Sequence, residues 1–371
     1  MTDVAIVGAG IIGAALADAL VRRGRTVTLL ESGRPGGGTS ATSFAWINSH
    51  KKHALDYHAI NLRGVEAWRR IAADLPDTVA FTGTVAIAGD DTHRASLTQR
   101  TERLIGLGYP ARFATPAEAR DRTPLPVADD ALVAIFDGEG HAFPGRWIAH
   151  LTARVPVRTA AVTGIDGHDV LLADGDRVTA DAVVICAGTA TERLVASAGG
   201  VLPLVPPEVD SISYGYLADV VAPGHGVTGI VKTDRLGLRP GEDGTLLVQA
   251  LDLDRSADPA GPPPDEVAAE ILRRITPLLP RTSPRVSAVR VGHRVIPADA
   301  RTAAGRIAPG SPVWAIATHS GVTLAPWLAE VIADELCGGA PEPLLAAFRP
   351  DRFLTTTTHA PLAAPRTSGD Q

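Results

Sequence analysis

Near the amino end, six residues carry a spacing that can do chemistry: Gly8-Ala9-Gly10-Ile11-Ile12-Gly13. Glycines at the first, third and sixth places suit a backbone that closes on a pyrophosphate. Gly8 makes the tight turn, Gly10 lets N–H groups approach the phosphates, and Gly13 lets a helix pack close to a strand. Glu31 follows eighteen residues after Gly13, placed to accept hydrogen bonds from ribose hydroxyls and to repel a 2′-phosphate. A glycine triplet alone also describes an ordinary turn, so the reading rests on what flanks it. The two cysteines, Cys186 and Cys337, lie in apolar segments with no Cys-x-x-Cys or metal-ligand spacing. They read as free thiols in a reducing compartment, and no metal site is expected.

The flanking elements hold those groups in place. Val4 to Val7 is a short apolar run, an Ala/Leu-rich helical pattern reaches Arg23, and a second apolar run at 27–30 closes on Glu31. Strand, glycine turn, helix, strand and acid stand in the order of a dinucleotide-binding unit. Its phosphates would sit at the helix N-terminus, where free N–H groups and the helix dipole favour negative charge. The glycine- and hydroxyl-rich stretch 32–43 suits a backbone that wraps a large planar or phosphorylated ligand.

Farther along, the pattern predicts helices over 61–75, 91–106, 144–154, 265–279 and 320–336, and a capping-box helix start at Thr115-Pro116-Ala117-Glu118. Strands are predicted over 83–88 and 155–165, followed by a hairpin of 168–172 and 177–179. The run 182–186 reads as a strand buried on both faces, ending in a small-residue turn from Ala187 to Thr191. Strands over 211–217, 229–232, 236–239 and 245–250 read as an antiparallel meander, with further strands at 287–296 and 313–317. From Pro341 the chain reads as a tail, ending in low-complexity Thr, Ala and Pro. The strand-rich middle between two α/β regions predicts a second domain inserted into the first.

The 371 residues are 45% hydrophobic, enough for a sizeable core, and the net charge of −6 argues against nucleic acid as a partner. No apolar run approaches the ~20 residues of a membrane span. The first strand begins almost at Met1, which leaves no space for a leader and predicts a soluble cytoplasmic protein.

Four separated segments together resemble the flavin-dependent amino-acid and amine oxidase family, which includes glycine oxidase, sarcosine oxidase and D-amino-acid oxidase. They are the unit from Val4 to Glu31, the run 37–43, the strand and Ala187-Gly188 turn, and a carboxy-terminal pattern. In that last segment Gly292, Arg294, Asp299 and Gly305 keep the register of a G-x-R-P-x-x-x-D-G-x-P-x-x-G motif, while Val295, Ala300 and Thr302 replace its Pro, Gly and Pro. Residues 317–326 then resemble the turn whose backbone meets the flavin pyrimidine ring. The resemblance implies an FAD-binding Rossmann-type (glutathione-reductase-like) domain over 1–82, 141–205 and 286–371. An inserted antiparallel-sheet α+β substrate domain would take 83–140 and 206–285.

It also implies FAD at Gly8, Gly10, Ile11, Ile12, Gly13, Glu31 and Ser32, then at Gly38, Thr39, Ser40, Thr42 and Ser43. Val162, Ala187 and Gly188 would lie beside it, and Ser320, Gly321, Val322 and Thr323 would meet the ring. No cysteine lies in 292–326, where some members attach their flavin, so a noncovalent FAD is expected, with His50 or His53 as the other attachment option. Hydride transfer from a substrate C–H to flavin N5 would give an imine that hydrolyses, with O2 or an acceptor protein taking the electrons.

Arg294 matches the family arginine that binds a substrate carboxylate, a group its guanidinium fits two-pronged. The alternative is an arginine paired with Asp299 or a carbonyl. Arg239 is a second anion-binding candidate, or else a solvated edge charge. His293 and His319 flank the site as bases or as wall residues. Tyr214 and Tyr216 share one strand face and either line the pocket or pack. Trp46 covers the ring or fills the core. Lys51 and Lys52 belong to a basic cluster that is either solvated or within reach of the flavin. Three functions stay open: oxidation of a C–N bond in a carboxylated amine, oxidation of the C–O bond of a 2-hydroxy acid, and an inactive flavoprotein subunit.

Overall fold

The protein is described by a computed structural model covering residues 2–50 and 52–355. Lys51 and the Thr/Ala/Pro run at 356–371 lie outside the described residues. Among the described residues the strands form two eight-stranded sheets and a three-stranded one.

The first sheet is centred on Thr2–Val7, which pairs in parallel with Val27–Glu31 on one side and Arg177–Ile185 on the other. Ala5 and Ile6 on this strand are fully buried, because helices cover one face of the sheet and further chain covers the other. The helix Ile11–Arg22 lies over the first face beside the closing helix Gly321–Leu336. Gly13 makes that packing possible: a Cβ there would lie 1.9 Å from the Gly8 carbonyl oxygen. Gly8 itself has φ +102° and faces the Cys186 carbonyl at a distance no side chain tolerates. Behind these turns Leu16, Leu20, Trp68, Trp147, Leu324 and Leu328 form one core cluster.

The second sheet runs in the order Arg285–His293, Tyr214–Val221, Thr245–Gln249, Gly237–Pro240, Ile230–Lys232, Thr84–Ala88, Leu132–Phe136, Ala111–Ala114. The helix Asp265–Ile275 turns Val267, Ile271 and Ile275 inward onto it, and Asp91–Gly106 does the same with Leu97 and Leu104. No helix among the described residues is long and apolar enough to cross a membrane.

Several elements differ from the sequence expectation, each for a physical reason. The stretch 155–165 is two strands, Val157–Thr159 and Val162–Asp166, in the first sheet. The expected strands at 177–179 and 182–186 are one nine-residue strand, antiparallel to Asp169–Leu172 at its start and parallel to Thr2–Val7 at its end. The expected meander is not sequential, because Tyr214–Val221 pairs with Thr245–Gln249 and Arg285–His293, while Ile230–Lys232 runs parallel to Thr84–Ala88. The helix expected at 61–75 begins six residues earlier, at Leu55, where Tyr57 and His58 are buried. The presumed tail forms two 3₁₀ turns, Pro343–Phe348 and Pro350–Leu354, that bury Leu345, Phe348 and Phe353. Its polar composition hid three anchors.

Candidate active site

A single cavity of about 770 Å³ is lined by both the amino-terminal crossover and the N-terminus of the closing helix. At one end the wall is made of Gly8, Gly10, Ile11, Ile12 and Glu31. Gly10 has no side chain to cap the helix it begins, and Ser40 Oγ accepts only from the Ile11 N–H, at 3.1 Å. Neither this helix nor the closing one has an acid in its first turn or a side-chain hydrogen bond from its N-cap residue. Two positive helix ends therefore face one cavity, a fit for pyrophosphate at one and a developing negative charge at the other. Glu31 is held at the crossover mouth, accepting from Ala9 N–H and Gly33 N–H at 2.9 Å each.

The stretch 32–43 curls over this end, so Ser32, Gly38, Thr39, Ser40, Thr42 and Ser43 all reach the cavity. Thr39 Oγ1 donates to the His293 carbonyl at 2.8 Å, tying that curl to the strand that leads into Arg294. Val162, Ala187 and Gly188 line the same side, as do Ser320, Gly321, Val322 and Thr323. Gly13 alone among the expected cofactor contacts does not line the cavity; it acts through packing.

The far end is walled by side chains from distant segments, including Trp46, Asn48, Lys52, Tyr216, Gln249 and His319. Trp46 is fixed from behind. Its Nε1 donates to Glu139 Oε2 at 2.9 Å, and Glu139 Oε1 also accepts from Tyr109 OH at 2.9 Å and meets His50 Nδ1 at 3.0 Å. Glu139 and His50 are fully enclosed, so this polar knot is satisfied internally. Burial and the Glu139 charge hold the Tyr109 phenol well above its ordinary range. The closing helix is tied to the same wall: Thr323 Oγ1 donates to the Trp46 carbonyl at 3.2 Å, and Tyr57 OH meets Ser320 Oγ at 3.0 Å. Ala45, next to Trp46, sits at φ +56°, a left-handed conformation that aims this wall.

His319 projects into the cavity and exposes much of its surface there, although the wall residues Thr318 and Ser320 on either side are buried. Desolvation by the cavity walls first, then the charges of Lys52 and Arg294, pushes its pKa down, so the imidazole is neutral at ordinary pH. His293 also lines the cavity, its ring 4.9 Å from that of Tyr214, and burial lowers its pKa.

Arg294 reaches the cavity but is extensively bonded within the protein. Nη1 donates to the carbonyls of Ile212 (3.0 Å) and Tyr214 (2.6 Å), and Nη2 to Asp254 at 2.6 Å. Asp299, the other partner expected for it, instead receives Arg352 at 2.8 and 3.1 Å. Arg239 and Tyr214 do not line the cavity. Arg239 is neither a solvated edge charge nor within the cavity wall: it lies buried under Phe44, whose carbonyl accepts from Nε at 2.5 Å. Burial brings its pKa down to about 9. Tyr214 OH donates to the Pro207 carbonyl at 3.3 Å and Tyr216 OH to the Ser256 carbonyl at 2.7 Å, so both hydroxyls are bonded within the protein.

Ala300, where the resemblance has Gly, adopts φ +61°, and Thr302, where it has Pro, shares a buried 2.7 Å hydrogen bond with Thr318. His50, one histidine considered for a flavin link, has its Nδ1 on Glu139 and its Nε2 3.2 Å from Arg100 Nη1, and does not line the cavity. His53 is exposed. One group with metal-ligand spacing occurs among the described residues, Asp90, His93 and Asp234, away from the cavity. Its carboxylates already accept the N–H groups of His93 and Gly89.

Asn48 and Gln249 escape a sequence reading. Each is one polar residue in an otherwise apolar or mixed run, and nothing local marks it as facing a ligand.

The chain matches the family model described as DAO, FAD dependent oxidoreductase, over residues 3–335. It is 29% identical, over 90% of its own length, to the tRNA 5-methylaminomethyl-2-thiouridine biosynthesis bifunctional protein MnmC of Chromohalobacter salexigens. It is 25% identical, over 55% of its length, to a glycine oxidase of Geobacillus kaustophilus. These matches span 53% and 59% of the two relatives, so the chain aligns with little more than half of each. The crystal structure of glycine oxidase from Geobacillus kaustophilus superposes with a TM-score of 0.79 at 23% identity, covering 94% of this chain and 98% of that one. An L-amino acid deaminase from Proteus vulgaris gives a TM-score of 0.80 at 22% identity, covering 95% and 94%. At these identities the two structures establish the shared fold.

Proposed function

Since the chain belongs to the DAO family of FAD-dependent oxidoreductases, we propose that it oxidises the C–N bond of an amino acid or another carboxylated amine. The observation that carries this reading is the single cavity joining Glu31 to His319, with a helix N-terminus at each of two places along it. FAD bound there supplies a two-electron acceptor for a hydride. The substrate carbon gives up that hydride and its nitrogen a proton, leaving an imine that water hydrolyses to a carbonyl compound and ammonia, or an amine where the nitrogen is alkylated.

The protein's own tasks follow from the wall. The crossover and the curl at 32–43 would hold the phosphates through backbone N–H groups and Ser and Thr hydroxyls, without a covalent link. The uncapped N-terminus at Ser320 and Gly321 would stabilise negative charge accumulating beside it. Trp46, braced by Glu139, would confine the substrate, and the neutral His319 would offer a hydrogen bond while binding a proton only weakly. A negative charge on the ligand suits this end, because the cations of Lys52 and Arg294 act together on His319.

The test is anaerobic mixing of the yellow protein with a panel of amino acids, N-alkylated amino acids and 2-hydroxy acids. Bleaching by amines alone supports the proposal. Bleaching by hydroxy acids alone replaces it with C–O oxidation, and absence of bleaching by any of them rejects it. Admitting air then shows whether oxygen or another acceptor takes the electrons, and acid treatment should release the flavin into solution.

A further inference from the structure

The geometry points to Lys52 as the residue that receives the substrate's carboxylate. This rests on the reaction proposed above and replaces the role that the carboxy-terminal motif would give to Arg294.

Three observations support the assignment. The first is that Arg294 is already matched to the protein. Its Nη2 pairs with Asp254, whose side chain is 2% exposed and also accepts the Tyr216 N–H at 2.9 Å. Gly215 is shaped for that bridge: a Cβ there would lie 2.0 Å from Arg294 Nη2 and 2.5 Å from Asp254 Oδ2. Pulling the guanidinium away to grip a ligand would strand a buried carboxylate.

The second is the charge at this end of the cavity. Lys52 is half-buried on the wall, its carbonyl held by Arg103 at 3.3 Å and its Nζ 5.2 Å from the centre of the Tyr57 ring. Among the described residues no carboxylate lies within ion-pair distance of it. Glu31 is the one acid among the described residues that line the cavity, and it stands at the crossover, bonded to Ala9 and Gly33. An anion entering the far end therefore meets an uncompensated ammonium.

The third is Gln249. The residue is on the cavity wall and only 6% exposed, and its Oε1 is enclosed, shielded from the cavity, so this amide puts no acceptor oxygen in the path of an anion approaching Lys52.

The experiment titrates the flavin-loaded protein with acetate and with acetamide, its uncharged counterpart, following the visible flavin spectrum per mole of bound flavin. Wild type should prefer acetate, and that preference should weaken as salt is raised. Lys52→Met should weaken acetate by about tenfold or more while leaving acetamide within about twofold, and Lys52→Arg should restore most of the difference. Gln249→Leu, on the same wall, should leave the acetate preference in place. Equal losses for acetate and acetamide in Lys52→Met, or a wild type without preference, would overturn the assignment. So would a Gln249→Leu variant that loses acetate as Lys52→Met does. Acetate binding reads charge recognition without turnover, so its failure is distinct from a failure of the bleaching assay, which reads the reaction.

Discussion

At the crossover end of the cavity the wall is largely backbone, contributed by residues 8, 10–12, 31–34, 36–40, 42 and 43. At the His319 end it is mainly side chains, drawn from residues 44–46, 48, 52, 216, 249, 293, 294, 318–320, 322 and 323. The first end is specified by spacing along the chain: glycines that admit close approach and an acid that closes the unit. The second is specified by partners the chain brings from afar, such as Glu139 behind Trp46 and Asp254 under Arg294. Tight tolerances in the first end are steric, while those in the second are electrostatic. Substitutions should therefore fail differently at the two ends.

The largest expected effect breaks the steric end. Gly13→Val places carbon where the Gly8 carbonyl already sits, so the variant should be insoluble or free of flavin when its absorption spectrum is compared with wild type. A soluble variant with full flavin content would show that the crossover tolerates separation. The next tests the electrostatic end. Glu139→Ala leaves Trp46 Nε1, Tyr109 OH and His50 without their buried acceptor. It should cost about 3 kcal/mol or more in urea unfolding. A loss below about 1 kcal/mol would mean that the knot is replaceable by water.

A smaller effect is expected from pH. His141, 1% exposed, is held down to about 3 from an ordinary 6.5, by burial first and then by the charge of Arg239. Unfolded, it takes a proton below 6.5 that the folded form refuses. Its contribution is intact above that value and is lost progressively as pH falls from 6.5 to about 3. The urea midpoint should follow that course, and His141→Asn should show a shallower slope across the same window. The smallest expected change is a gain. Ala300→Gly relieves a left-handed alanine at φ +61° and should stabilise the protein by up to about 1 kcal/mol, read as a small rise in Tm.

The same contrast explains how much could be read before the fold was known. The crossover, the buried strand near Val184, the closing helix and the dinucleotide-binding character are periodicity and spacing, and they depend on neighbours in sequence. The expected contacts Ser40, Glu31, Gly188 and Gly321 all meet the cavity for that reason. Arg239 and Tyr214 do not, because a residue type on a strand announces its chemistry but not what packs over it; Phe44 covers the one and Pro207 takes the hydroxyl of the other. The terminal 3₁₀ turns were equally hidden, since Phe348 and Phe353 are isolated in a polar stretch and find their cores only at long range.

The sequence alone determined the nucleotide-binding unit, because close approach of helix, strand and phosphate is enforced by atoms that glycine lacks. Only the tertiary structure decided which charges remain available to a ligand. That depends on which cation meets a carboxylate once the chain has folded: Arg294 finds Asp254, Arg352 finds Asp299, and Lys52 faces the cavity with no acid among the described residues beside it.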